Sequence, residues 1–128
     1  MKISKKAEYG LRAMIHLAKN KNKHAISIRE ISNIEGVPFE FLAKIFAVLE
    51  KVNLVTAKHG ANGGYYLAKT ASAITASDVV DALEEKVTPT NCVLCGKNKK
   101  CASKNVWTKV DLAINKTLSS IKLSSLVK

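Results

Sequence analysis

Apolar residues recur along the first third of the chain at three- and four-residue spacing, the period of helices with one buried face. Ala7, Leu11, Met14, Ile15 and Ala18 form such a stripe in a helix expected from about Lys5 to Asn20, with Ser4 as its N-cap. The polar run Lys19-Asn20-Lys21-Asn22-Lys23-His24 reads as a loop. Ser27-Ile28-Arg29-Glu30 is a capping box: the serine accepts from the third helical N–H and the glutamate reaches back to the serine N–H. Ile28, Ile31 and Ile34 mark the short helix it opens, and Glu35-Gly36 stops it. Val37-Pro38 starts a third helix, with proline in the first turn where its missing N–H is harmless. Leu42, Ile45, Phe46 and Leu49 give that helix its core stripe to about Val52.

A short helix, a glycine-containing turn and a second helix with its own solvent face make a helix-turn-helix pattern, whose second helix would lie in the major groove. The period then changes. Leu54-Val55-Thr56-Ala57-Lys58 reads as a strand, His59 to Gly64 as a turn and Tyr65-Tyr66-Leu67-Ala68 as the return strand. Asn62-Gly63 signals a hairpin, because such turns need positive φ. That order is a winged helix, with Lys58 and His59 at the wing tip, where a cation reaches phosphate or the minor groove. Thr75-Ala76-Ser77-Asp78 caps a further helix through Val79, Val80 and Leu83 to about Glu85. After Cys101 the chain is expected to be helical again to about Lys122. Trp107, Val110, Ile114, Leu118 and Ile121 step by three and four there, like a coiled-coil seam. One long helix cannot bury that stripe on a small head alone, so these five residues are expected to form a homodimer interface, which also suits a two-fold DNA site. The fold expected is mainly α with a small β wing: a winged helix-turn-helix head over residues 1–86, a cysteine loop over 87–101, and a long C-terminal dimerisation helix and tail over 102–128.

Charge narrows the partner. The 128 residues carry 21 Lys+Arg against 10 Asp+Glu, a formal net charge of +11. The excess is even: eleven basic against five acidic residues over 1–60 and ten against five over 61–128, so no basic tail explains it. A polyanion fits, nucleic acid before membrane. No apolar run is long enough for a signal peptide or a membrane span, and a cytoplasmic location is expected. An enzyme is not expected, because the sequence has no phosphate-binding glycine loop, no nucleophile–histidine–carboxylate set and no obvious pairing of its few acids. His16 and His24 carry no evident role, and Glu8 reads as a helix-surface carboxylate beside Lys5, Lys6 and Arg12.

All three cysteines fall within Asn91-Cys92-Val93-Leu94-Cys95-Gly96-Lys97-Asn98-Lys99-Lys100-Cys101, a C-x2-C-x5-C spacing. Thiolates are soft anionic ligands suited to zinc and to iron–sulfur clusters. Gly96 lets the backbone bend after the second thiol, and three neighbouring lysines favour the thiolate form. Three ligands are one short of four, so another residue, solvent or a second chain would complete the site. On these residues alone a cluster, a structural zinc and a metal-free thiol sensor all remain open.

Several segments resemble a known family. Met1-Lys2-Ile3-Ser4, Tyr9-Gly10-Leu11-Arg12-Ala13-Met14, Ser27 to Ile31, Phe41 to Leu49, Gly60 to Leu67, Ile74 to Val79 and Lys122 to Val127 are similar to segments of the IscR/NsrR family of bacterial winged-helix transcription regulators. The resemblance runs the whole chain. It implies a homodimeric DNA-binding repressor or activator. Cys92, Cys95 and Cys101 would hold a [2Fe-2S] or [4Fe-4S] cluster whose presence, oxidation state or reaction with nitric oxide sets which promoters are bound. Some members place a histidine ligand three residues after the last cysteine, where this chain has Lys104. Others use an acidic residue on the first helix of the partner subunit, and Glu8 stands at that position, so Glu8 of the partner subunit is the expected fourth ligand. The first cysteine gap is shorter than in the best-known members. Pro38, Glu40, Phe41 and Lys44 would face the major groove, with Lys58, His59 and Gly60 anchoring the wing. Ala43-Lys44 replaces a Glu-Gln pair common in the family, and Lys58-His59 stands where arginine is usual, so an operator sequence does not carry over.

Overall fold

The structure is a computed structural model and describes residues 3–20, 24–84 and 102–127. The cysteine segment, with Cys92, Cys95 and Cys101, lies outside the described residues.

Helix α1 spans Lys5–Lys19, and the Ser4 hydroxyl accepts from the Ala7 N–H at 3.1 Å, as the sequence suggests. Its buried face is Ala7, Gly10, Ala13, Met14 and Leu17, whereas Leu11, Ile15 and Ala18 are only half-buried. The stripe is thus rotated from the expected one toward the small residues. Gly10 allows helix α4 (Ala76–Leu83) to approach so closely that a Cβ there would overlap the Leu83 side chain.

Helix α2 spans Ile28–Glu35 and helix α3 spans Phe39–Lys51. The Ser27 hydroxyl accepts from the Glu30 N–H at 3.1 Å; the two-way capping box forms instead at α4, between Thr75 and Asp78. Gly36 ends α2 in the left-handed region (φ 69°), its N–H donating to the Ser32 carbonyl at 2.9 Å. Ile34, in the last turn of α2, is exposed rather than part of the core. Pro38 is the N-cap of α3, one position before the expected first turn, and Leu42, Ile45, Phe46 and Leu49 are fully buried.

The wing is an antiparallel pair, β1 (Val55–Lys58) and β2 (Gly64–Leu67), in register Val55 to Leu67 through Lys58 to Gly64. Its turn differs from the expected Asn-Gly type. Five residues, His59 to Gly63, connect the strands, the Gly63 N–H donates to the Gly60 carbonyl at 3.0 Å, and positive φ falls on Gly60 and Gly64 rather than Asn62. Ile26 and Tyr65 also exchange N–H···O bonds of 2.9 Å each, adding a bridge from the residue before the α2 cap to β2. Gly64 is required there: its φ is 156° and a Cβ would strike the Ile26 backbone.

Helix α5 spans Ala102–Ser120 and packs in part on α4. After it the chain turns back onto the head. The Ala76 N–H donates to the Ile121 carbonyl at 2.8 Å, the Leu123 N–H donates to the Ile74 carbonyl at 2.9 Å, and Leu123 is fully buried beside Ile74, Phe46 and Met14 in one core cluster. The other end of α4 is held too, since Glu84 accepts from the Ser4 N–H at 2.6 Å. The head's core is therefore closed by the last residues of the chain as well as by the first.

Candidate nucleic-acid interface and the surroundings of Glu8

The buried stripe of α3 leaves its opposite side, with Phe39, Glu40, Lys44 and Ala47, exposed. Pro38 is exposed at the start of that helix, and Lys58, His59 and Gly60 are exposed at the end of β1 and the wing tip. Phe41 sits differently: it is half-buried, its ring meeting Tyr9 of α1 edge-on at 5.6 Å and 84°. That contact gives Phe41 a packing role between α3 and α1 alongside the groove-facing one expected of it. Between the start of α2, the start of α3 and the wing lies an open cleft of about 360 Å³ bordered by Ser27, Arg29, Phe39, Lys58, His59 and Gly64. Arg29 on one wall and Lys58 on the other supply cations, with the His59 imidazole beside Lys58, while Glu40 contributes the neighbouring negative charge. Such a cationic rim around a helix N-terminus is suited to the phosphates and base edges of a duplex.

Behind this face the wing is anchored by aromatic packing. Tyr65 stacks on Phe46 with centroids 4.7 Å apart. Burial, then the nearby Glu50 carboxylate, pushes the Tyr65 phenol above its usual range.

Arg29 and Phe39 did not figure among the residues picked from sequence. Arg29 lies in the first turn of α2 and Phe39 is the first residue of α3, and the Arg29 guanidinium sits 5.0 Å from the centre of the Phe39 ring. Neither neighbourhood is local in sequence; the capping-box pattern that places Arg29 on the first turn of α2 was the only available signal. His16, expected to be without a role, lies 3.7 Å from a Glu35 carboxylate oxygen at the end of α2.

Glu8 is on the exposed side of α1, where Lys5 (3.6 Å) and Arg12 (3.4 Å) flank its carboxylate. It borders an apolar groove of about 490 Å³ lined by Ile3, Leu11, Ile15, Val80 and Leu118. None of the described side chains of α5 is fully buried. Trp107, Val110, Ile114 and Leu118, with Ile121 just beyond the helix, are half-buried, and Val106 and Leu112 are exposed. Among the described residues no helix is long and apolar enough to cross a membrane, and no group of three or more His, Cys, Asp and Glu side chains could hold a metal ion.

The Rrf2 family model, described as an iron-dependent transcriptional regulator, matches residues 3–128. The Rrf2 protein of Nitratidesulfovibrio vulgaris is 31% identical over 132 residues, covering 100% of this chain and 88% of its own. The transcriptional regulator IscR of Escherichia coli is 31% identical over 130 residues, covering 99% of this chain and 80% of its own. Among solved structures, CymR, described as the global cysteine regulator of B. subtilis, matches with a TM-score of 0.88 at 31% identity, over 98% of this chain and 95% of that one. T. potens IscR matches with a TM-score of 0.84 at 32% identity, over 98% and 85%.

Proposed function

The chain belongs to the Rrf2 family of transcriptional regulators, and from that membership we propose a homodimer whose grip on promoter DNA is set by an iron–sulfur cluster. The observation that carries the DNA part is the cleft itself: Arg29, Lys58, His59 and the exposed face of α3 surround a region where a helix start and the wing converge. Pro38, Glu40, Phe41 and Lys44 meet the major groove, and Lys58, His59 and Gly60 grip the backbone beside it. The pair is assembled through α5, whose Trp107, Val110, Ile114 and Leu118, with Ile121, are incompletely covered in one protomer. The apolar groove beside Glu8 offers the matching surface.

The donor set fits a thiolate–iron centre. Cys92, Cys95 and Cys101 supply three soft anionic ligands, and Glu8 of the partner subunit supplies a hard oxygen as the fourth. Glu8 is free to serve: its exposed ion pairs with Lys5 and Arg12 are of a kind worth about 0–1 kcal/mol each and exchange readily. Lys97, Lys99 and Lys100 offset the charge of the thiolates. When bound, the cluster would supply a redox- and nitric-oxide-reactive centre. The segment carrying its ligands joins α4 to α5, so the ligation state of these cysteines bears on how α5 spaces the two heads. A difference of about 1–3 kcal/mol in DNA-binding free energy between two states changes affinity roughly 5–150-fold.

In one alternative the same cysteines act as a zinc clip or as a metal-free thiol sensor above an unchanged DNA-binding head, and similarity to the oxidised form of Staphylococcus aureus CymR (TM-score 0.84, 30% identity) supports the thiol sensor. Anaerobic purification with a visible spectrum and iron, sulfide and zinc analysis separates the two. Brown protein with near-stoichiometric iron and sulfide, and an altered spectrum in Glu8→Ala, is the expected result. Colourless protein carrying zinc or no metal, even after reconstitution, would leave the alternative standing. A gel-shift against promoter fragments tests the DNA part independently.

A further inference from the structure

Of the chain's 21 basic residues only two are arginines, Arg12 and Arg29. Each lies over an aromatic ring: Arg12 at 5.6 Å from the centre of Tyr9, Arg29 at 5.0 Å from the centre of Phe39. Their situations then diverge. Arg12 is also paired with the Glu8 carboxylate at 3.4 Å. Among the described residues Arg29 has no carboxylate partner, so none of them competes for its charge. It borders the cleft that faces the wing, and the ring beneath it is the 41% exposed Phe39 at the first position of α3.

We propose that Arg29, held over Phe39, is a specificity-determining residue of this protein that reads a guanine edge in the operator. The inference rests on the DNA-binding reading given above and adds a residue pair to it. The argument is one of preorganisation. A lysine is a compact point charge on a flexible stem and serves for phosphate, but a guanidinium presents a planar fork that matches guanine O6 and N7 with two parallel hydrogen bonds. A free arginine side chain must give up rotamer entropy to hold that fork still. Here the ring already restricts it, and the ring belongs to the helix whose N-terminal residues approach base edges. A chain that uses lysine at nineteen of its twenty-one basic positions has an arginine where the fork geometry would matter.

The test is selection of binding sites from a random duplex library by the full-length protein, for wild type, Arg29→Lys, Phe39→Ala and Phe39→Leu. Wild type is expected to select a motif with a G·C pair fixed at one position of each half-site. Arg29→Lys keeps the charge and loses the fork, so it should lose the preference at that position alone, by roughly 5–150-fold against the substituted base, with non-specific affinity and salt slope retained. Both Phe39 variants should blur the same position while leaving the unfolding midpoint near wild type, since the ring is partly exposed. An Arg29→Lys motif unchanged at every position would overturn the proposal and make Arg29 a phosphate contact. A wild-type protein that selects no sequence would overturn the DNA-binding reading and this inference together, an outcome distinct from a preserved motif.

Discussion

Removing the side chain of Leu123 should unfold much more than the tail it belongs to. This residue is fully buried among Ile74, Phe46 and Met14, and its N–H is bonded to the Ile74 carbonyl. Leu123→Ala deletes three carbons, about 2.4 kcal/mol of transfer free energy at roughly 0.8 kcal/mol per methylene. The cavity left in a close-packed core raises the total to about 3–4 kcal/mol, within the range for buried leucine truncations. Against a global stability of about 5–15 kcal/mol that is a large fraction. Leu126, three residues on and 38% exposed, provides the control; Leu126→Ala should cost under about 1 kcal/mol. The assay is urea unfolding followed by far-ultraviolet circular dichroism and by fluorescence of Trp107, the sole tryptophan, at one fixed protein concentration so that association contributes equally. With an m-value of about 1–3 kcal/mol per molar, the Leu123→Ala midpoint should fall by about 1 M or more. Equal midpoints for the two variants would refute the view that the chain's end is a component of the head.

Gly64→Ala should destabilise the protein by about 1–3 kcal/mol or more, seen as a lower thermal midpoint, because it places a methyl group on the Ile26 backbone at a φ of 156°. Lys58→Ala should weaken binding to all duplexes alike and reduce the magnitude of the salt slope by about one, measured by titration at several ionic strengths. Ile114→Glu should shift the protein toward a lighter species in sedimentation, by placing a charge on the incompletely covered face of α5. Tyr65 has its phenol raised by burial and by Glu50, so the fold favours the neutral form. Stability from this source is fully present below the unfolded phenol's pKa of about 10 and is lost as pH rises through the folded value. Tyr65→Phe should flatten the alkaline limb of a stability–pH curve and leave the neutral region unchanged.

Elements whose burial follows one period were legible in the sequence. The stripe of α3 is the clearest, because Leu42, Ile45, Phe46 and Leu49 all face one core and nothing competes for them. The wing was legible through its glycines, though not its turn geometry, since the need for Gly64 arises from Ile26, 38 positions earlier. In α1 the expected stripe was rotated, because small residues that let α4 approach carry little hydrophobic signal of their own. Lys122 to Leu126 shows no period at all: the Leu123 N–H bonded to the Ile74 carbonyl and one buried leucine hold it, and neither leaves an amphipathic trace. At the candidate site, Lys58 and His59 were readable as tip residues of a hairpin. The meeting of Arg29 with Phe39 was not, since it depends on how two helices cross. The three thiols were visible as candidate ligands through spacing alone, and that spacing does not choose between iron, zinc and no metal.

The bridge between Ile26 and Tyr65 means that the wing is not a flap hinged on two strands; it is riveted to the stretch that leads into α2. A reading head tied this way has little shape of its own to vary. Two such heads on one duplex would work like the jaws of a caliper, sensitive to separation and angular phase. Along B-DNA a relative slide of about 3.4 Å is one base pair of misregister, and about 10–10.5 base pairs complete a turn. A movement no longer than a side chain would then be enough to take one jaw off its half-site while the other stays seated.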